Sequence, residues 1–241
     1  MPRRARFVEP GFAHHVTQRG NNRQDVFLCA GDRQRYLQIL RGHLDRHGVR
    51  VLAWCLMTNH IHLLAVPEAE ESLGLALGQA HSQYALEWNR GKQRVGHLWQ
   101  NRFFSCCVEA SRVWSVMRYV ERNPARARMV NHAWEWPWSS AEAHVTEGAG
   151  DPMLDPEWSK WLTGARLGGW DFGGWRAALS GQAEDEEAGV RRATLAGEPL
   201  GPEWFVTQME SGAGRRLRVL KRGRPALERV DGAEAQGALF E

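Results

Sequence analysis

Several residue types and patterns are scarce in this chain. Its four cysteines, Cys29, Cys55, Cys106 and Cys107, contain no C-x-x-C pair. That argues against a cysteine-rich zinc module or a disulfide scaffold, and the thiols read as buried or free in a reducing compartment. No stretch approaches the roughly 20 apolar residues of a membrane-spanning helix. MPRRARF carries the charge of a signal-peptide start, but no apolar segment follows it. A cytoplasmic protein with no membrane partner is expected. Tyrosine occurs only at Tyr36, Tyr84 and Tyr119. Lysine is missing from residues 1–50, which carry ten arginines against four acids.

What is present is ordinary in bulk and uneven in placement. Apolar residues make up 43% and charged residues 24% of the 241, enough to bury a core. Net charge is only +3, yet residues 214–230 form a second basic stretch, with six arginines and one lysine against one acid. The acidic run Glu184-Asp185-Glu186-Glu187 lies between the two. Basic ends fit a nucleic-acid binder. They equally fit a solvated surface.

Periodicity supplies the elements. HHVTQRGN (14–21) begins as a strand and ends in a turn. Residues 32–48 carry Tyr36, Leu37, Leu40 and Leu44 at helical spacing and stop at Gly48. VRVLAWCLM and HIHLLAVP read as two strands joined at Thr58-Asn59. A second helix spans 71–90, a strand 102–109 and a third helix 111–123, with Ser111 as its N-cap. That helix should break at Asn123-Pro124, because a residue before proline is pushed out of helical geometry. The order β-α-β-β-α-β-α predicts an α+β fold, a split β-α-β antiparallel sheet with helices on one face. From about 145 glycine, proline and tryptophan become frequent. We expect a domain at 1–148 and a C-terminal extension at 149–241, with a helix at 203–210 and a basic, partly disordered tail.

The stretch MTNHIHLL puts His60 and His62 two residues apart on a strand. Side chains so spaced share a face, about 6.6 Å apart along the chain. They read as tolerated core polar residues, as a solvent-facing pair, or as part of a metal site whose further ligand comes from elsewhere. On the third helix Tyr119 and Asn123 are spaced i, i+4 at the edge of the stripe Val113, Val116, Met117 and Val120. Tyr36 and Tyr84 lie on apolar stripes and read as packing residues, so a reactive tyrosine would be Tyr119. Arg118, Arg122, Arg126 and Arg128 surround it, and guanidinium forks match phosphate oxygens. The combination points to phosphodiester chemistry, a tyrosine hydroxyl attacking a phosphate polarised by a metal.

These motifs resemble those of the single-tyrosine HUH DNA transposases. MTNHIHLL is similar to their His-hydrophobic-His motif and YVERNPARARMV to their nucleophile helix, in the variant with Asn at i+4. HVTQRGNNRQDVF, GHLWQNRFFS and WPWSS resemble further segments of one branch, the REP-associated tyrosine transposases. The likeness covers about residues 6–145, and the C-terminal part resembles that branch's extension. It implies that His60, His62 and Asn123 hold Mg²⁺ or Mn²⁺, and that Tyr119 attacks the DNA to give a 5′-phosphotyrosine and a free 3′-OH. A second 3′-OH then reverses the linkage. The implied substrate is single-stranded DNA beside a repetitive extragenic palindrome hairpin, handled by a monomer or homodimer near the nucleoid. Arg19, Asn21, Asn22 and Arg23 resemble the segment near the recognised foot of that hairpin, and with Arg118, Arg122 and Arg126 they are assigned to DNA contact.

Thr58, Glu121 and Arg128 depart from the family's usual residues, with Glu121 and Arg128 standing for the usual His and Gly. None of the implied catalytic positions is lost. KRGRP (221–225) resembles an AT-hook core, which assigns Arg222 and Arg224 to the minor groove; the tail reads equally as nonspecific. Among twelve tryptophans, Trp134, Trp136, Trp138, Trp158, Trp161, Trp170 and Trp175 gather after the tyrosine helix. Core packing is their commoner fate and base stacking the alternative. The competing readings are a relaxase or replication initiator of the same chemistry, and a catalytically silent hairpin-binding protein.

Overall fold

The structure is a computed structural model that describes residues 5–159, 171–181 and 184–218. Four strands form one sheet: β1 (Ala13–Arg19), β2 (Val49–Leu56), β3 (His60–Pro67) and β4 (Phe104–Val108). Their order is β2-β3-β1-β4 and every pairing is antiparallel. The helices are α1 (Ala30–Arg46), α2 (Ser72–Gly91), α3 (Val113–Arg126), α4 (Ala141–Val145), α5 (Phe172–Ser180), α6 (Glu184–Ala196) and α7 (Glu203–Gly212). The predicted α+β order holds, with β3 and β1 central.

The layering is fuller than the expected single helical face. One side of the sheet packs Val16, Leu56, Ile61 and Leu63 against Tyr36, Leu40, Leu77 and Tyr84 of α1 and α2. The other packs Leu52, Cys55, Leu64, Val66 and Cys106 against α3, α5 and α6. A bulge between Val51 and Ala53 lets β2 put Val51 on one core and Leu52 with Ala53 on the other. Helices therefore cover both faces, because β2 and β3 are apolar on both.

Local signals explain most boundaries. α1 is followed by Gly48 at φ +60°, where a Cβ would meet Glu68. Tyr36 and Tyr84 are core residues with satisfied hydroxyls: Tyr36 bonds His81 at 3.0 Å and Tyr84 donates to the Val26 carbonyl at 2.7 Å. Ser111 is not the cap of α3. It lies in a 3₁₀ turn, Ala110–Arg112, that Glu109 caps at the Ser111 amide.

The expected break at Asn123-Pro124 does not occur; α3 continues to Arg126. Proline lacks the N–H that would bond the Val120 carbonyl four residues back. The Asn123 side-chain amide supplies the donor instead, reaching the Tyr119 carbonyl at 2.8 Å and that of Val120 at 3.2 Å.

The segment after 148 is tied to the first half. The Asp155 amide bonds the Val51 carbonyl, the Trp54 indole bonds Asp151, and Trp175 and Leu179 are buried against α3. Trp134, Trp136, Trp138 and Trp158 are partly buried against the two cores, whereas Trp161 and Trp170 lie outside the described residues.

Candidate active site

His60 opens β3 and His62 follows on the same face, the one that α3 covers. Tyr119 faces them from α3. Its ring meets that of His62 edge-on at 5.4 Å and that of His15 at 5.3 Å. His60 and His62 lie 5.0 Å apart, centroid to centroid. The tyrosine and the two histidines, far apart in sequence, are thus gathered between α3 and the sheet, with Asn123 one turn further along α3.

The hydrogen-bond network assigns a tautomer to each histidine. The Thr194 hydroxyl, on α6, donates to the Val190 carbonyl at 2.8 Å. Its oxygen therefore accepts from His15 Nδ1–H, 2.6 Å away. Burial pushes the His15 imidazole down to about 3, so it is neutral and its Nε2 carries a lone pair. His62 Nδ1, 3.0 Å from that Nε2, must be the donor. Burial, helped by His60, His15 and nearby arginines, holds His62 well below the ordinary histidine value, so its Nε2 is left as a lone pair. His60 repeats the logic. Its Nδ1 lies 2.7 Å from Asn59 Oδ1, while the Asn59 amide nitrogen donates to the Arg23 carbonyl at 3.0 Å. Burial lowers His60 to about 4, with Arg19, Arg126 and Arg191 adding to the effect.

Two neutral imidazoles with Nδ1 anchored and Nε2 unprotonated are in the form that binds divalent cations, with the outer partners such ligands ordinarily have. No cluster of three His, Cys, Asp or Glu occurs among the described residues, so a further donor must be an amide or a substrate oxygen. Asn123 is buried one turn after Tyr119, and its Oδ1 accepts from Arg126 Nη2 at 2.5 Å. Two imidazoles and an amide oxygen fit a divalent cation chemically, with the amide engaged by Arg126 in this conformation.

Charge around the tyrosine is strongly positive. The Arg126 guanidinium carbon lies 4.6 Å from the Tyr119 ring centroid. Arg19 stands opposite His60 on β1. Arg122 and Arg126 both pair with Glu187 of α6, at 2.5 and 3.0 Å. A cleft of about 660 Å³ opens beside Tyr119, lined by Arg122, Arg126, Arg128, Arg191 and Glu187. Arg118 instead points toward Gly181, past the end of α5. Asn21, Asn22 and Arg23 form a tight turn after β1, with Asn22 and Arg23 at φ 50° and 60°. The bond from Asn59 to the Arg23 carbonyl ties that turn to the residue before His60. Arg222 and Arg224 lie outside the described residues.

Sequence reasoning missed His15, Thr194, Glu187 and Arg191. The strand alternation that pairs His60 with His62 also puts His15 on their face, since it is one of the β1 residues that share it with Arg19. That signal was available. Thr194 lies 179 positions from His15, and no local pattern announces it.

The four-stranded antiparallel sheet thus presents an H-x-H strand to a tyrosine on the helix that covers it. The family model described as "Transposase IS200 like" matches residues 10–123, and this segment is an IS200-like transposase domain. No curated protein matches the chain. A solved REP-associated tyrosine transposase bound to a REP hairpin shares the fold, with a TM-score of 0.52 and 20% identity over 64% of this chain and 94% of that one. A putative transposase from Deinococcus radiodurans aligns at 18% identity over 54% of this chain and 92% of that one, with a TM-score of 0.35. No helix among the described residues is long and apolar enough to cross a membrane.

Proposed function

We propose that this protein is a metal-dependent single-strand DNA endonuclease and strand transferase acting through Tyr119 at palindromic repeat hairpins. The observation that carries the reading is the convergence of Tyr119 on His62 and His60, whose tautomers leave both Nε2 atoms as ligands. His60, His62 and Asn123 would hold Mg²⁺ or Mn²⁺. The cation, when bound, polarises the scissile phosphate. Arg126 would leave Asn123 for a phosphate oxygen, since both are acceptors for the same fork.

The Tyr119 oxygen then forms a bond to phosphorus, the bond from phosphorus to the 3′ oxygen breaks, and the tyrosine proton ends on the released 3′-OH. The product is a 5′-phosphotyrosine. Attack by another 3′-OH restores the tyrosine and conserves the bond energy. Arg19, Asn21, Asn22 and Arg23 would contact the DNA beside the histidines, with Arg118, Arg122 and Arg126 along α3 and Arg222 and Arg224 in the tail. Residues 1–148 would form the catalytic domain and 149–241 the DNA-binding extension. The hairpin preference is supported by the REP hairpin in the structurally similar transposase.

A second reading, hairpin binding without cleavage, is favoured by one observation: Tyr119 is only 4% exposed. Incubation with single-stranded oligonucleotides that carry palindromic repeats and flanks, under Mn²⁺ or Mg²⁺, separates the two. A covalent protein–DNA band that EDTA abolishes and a scrambled, unpaired oligonucleotide does not give supports the proposal. Tight binding with no band under either metal overturns it in favour of the silent reading.

A further inference from the structure

Four guanidiniums line the Tyr119 cleft. Arg122, Arg126 and Arg128 belong to α3 and the residues just after it, whereas Arg191 comes from α6, far along the chain. α6 packs against α3, β4 and β1, and the contacts of its other residues locate Arg191. One turn before it, Glu187 pairs with Arg122 and Arg126. Three residues after it, Thr194 bonds His15, which in turn bonds His62. Glu187, Arg191 and Thr194 are spaced i, i+4, i+7 and so share a side of the helix. Arg191 therefore stands along α6 between the arginines of α3 and the histidines of the sheet, an exposed member of a stripe whose other two residues are buried.

Its charge is not spent within the protein. Glu187 gives its carboxylate oxygens to Arg122 and Arg126, and Arg191 makes no ion pair among the described residues. What Arg191 does meet is more positive charge. It and Arg19 repel each other, and both act on the His60 ring. Arg19, opposite His60 in the β1–β3 ladder, has no ion pair among the described residues either. No carboxylate is among the groups acting on Arg19 or His60. Two guanidiniums from separate elements, brought near each other beside a histidine, are unfavourable until they share an anion. Their planar forks match the oxygens of a phosphodiester. An anion held by both lies beside His60 and at the cleft of Tyr119, where a phosphate must sit to be attacked.

We propose that Arg191 and Arg19 form a clamp on the phosphate that Tyr119 attacks, each holding a non-bridging oxygen, so that α6 completes the active site. The inference rests on the cleavage reading above and adds to it a residue of the C-terminal extension. The clamp itself makes and breaks no bond. It fixes the phosphorus between the tyrosine oxygen and the histidines, and it offsets the negative charge that would repel the attacking oxygen.

The test is a double-mutant cycle between the protein and the DNA backbone. The full chain carrying Tyr119→Phe binds a fluorescent single strand that holds a palindromic repeat and its flanks. Neutral methylphosphonate linkages replace the phosphates of the flank one at a time. Arg191→Gln should weaken binding to the unmodified strand about tenfold. It should cost nothing more on the strand that is neutral at the linkage the Tyr119 chain cuts. Arg191→Lys should recover part of the loss. Arg192→Gln removes the same charge one residue along, outside the cleft, and its losses should add at every linkage. The Mn²⁺ affinity of Arg191→Gln, read by electron paramagnetic resonance, should not fall, because the histidines are untouched. Additive losses at every linkage for Arg191→Gln, in a variant that melts like its parent, would overturn the clamp, as would coupling at a linkage other than the one cut. Either result beside a normal Tyr119 adduct sinks the clamp alone. Coupling at a single linkage, when the Tyr119 chain forms no adduct, would keep the clamp as a phosphate site and sink the cleavage reading instead.

Discussion

His15 and His62 are joined across neighbouring strands, Nε2 to Nδ1 at 3.0 Å, with their rings stacked at 4°. Thr194 of α6 closes the chain on the far side of His15. His15 is therefore a positioning residue that fixes the tautomer of His62, and through it α6 reaches the face that carries the two histidines. His15→Ala should weaken Mn²⁺ binding about 10–100-fold, the usual cost of losing an outer partner of a ligating histidine. Thr194→Val should weaken it less, because His15 stays in place. Mn²⁺ titration followed by electron paramagnetic resonance checks both, with no substrate present. Unaltered affinity in His15→Ala would remove the relay from the account.

Asn123 carries a structural duty beside its proposed ligand role, since its amide replaces the N–H that Pro124 lacks. Asn123→Ala should cost about 1–3 kcal/mol of stability by leaving the buried Val120 carbonyl unpaired. The double variant Asn123→Ala, Pro124→Ala should regain most of that loss, because the backbone N–H returns. Chemical denaturation of the two variants and their parent measures the coupling. Additive losses would contradict it.

Glu121 is fully buried and accepts from Ser140 at 2.6 Å, His144 at 2.5 Å and the Trp175 indole at 2.9 Å. Those donors come from α5 and from α4 and the residue before it, so one carboxylate fastens the tyrosine helix to later chain. Glu121→Ala should destabilise the fold by about 3–5 kcal/mol, as breaking buried charged networks does. Differential scanning calorimetry reads this directly, and a loss under about 1 kcal/mol would show that the network is dispensable.

Stability should fall with acid. Burial lowers His14 to about 4 and His81 to about 3, against about 6.5 in an unfolded chain. Below pH 6.5 the unfolded state binds protons that the folded state refuses, so stability rises with pH from about 3 to about 6.5 and is level above. Each histidine contributes about 1.4 kcal/mol per pH unit within its window. Thermal melts at pH 7.5, 6.0 and 5.0 should show a falling midpoint, and His81→Gln should flatten the trend. A midpoint independent of pH would contradict the neutral core histidines.

The local part of this architecture was readable from sequence. Strand alternation and helical stripes found the four strands of the described residues and the helices α1, α2 and α3, and the two tyrosines on apolar stripes are in the core. Asn123-Pro124 misled because the proline rule assumes that nothing nearby replaces the lost donor, and here the preceding side chain does. The single helical face failed for a related reason: both faces of β2 and β3 are apolar, and a run such as VLAWCLM says so only once the bulge at Val51 and Ala53 is allowed for. Of the candidate site, the pairs His60 with His62 and Tyr119 with Asn123 could be singled out from sequence because the spacing within each pair is local. Thr194 and Glu187 could not, since they reach it by folding α6 back over the sheet. The run that contains Glu187 was visible only as charge, with no sign of Arg122 and Arg126 as its partners.

The central claim is that Tyr119 becomes covalently joined to DNA. The most direct measurement is mass spectrometry of proteolytic peptides after incubation with a hairpin-bearing single strand and Mn²⁺, followed by nuclease trimming. The expected result is a nucleotide-modified peptide containing Tyr119, present with metal, lost with EDTA and lost in Tyr119→Phe. A modification on Tyr36 or Tyr84, an adduct that survives Tyr119→Phe, or cleaved DNA with no modified peptide would contradict it.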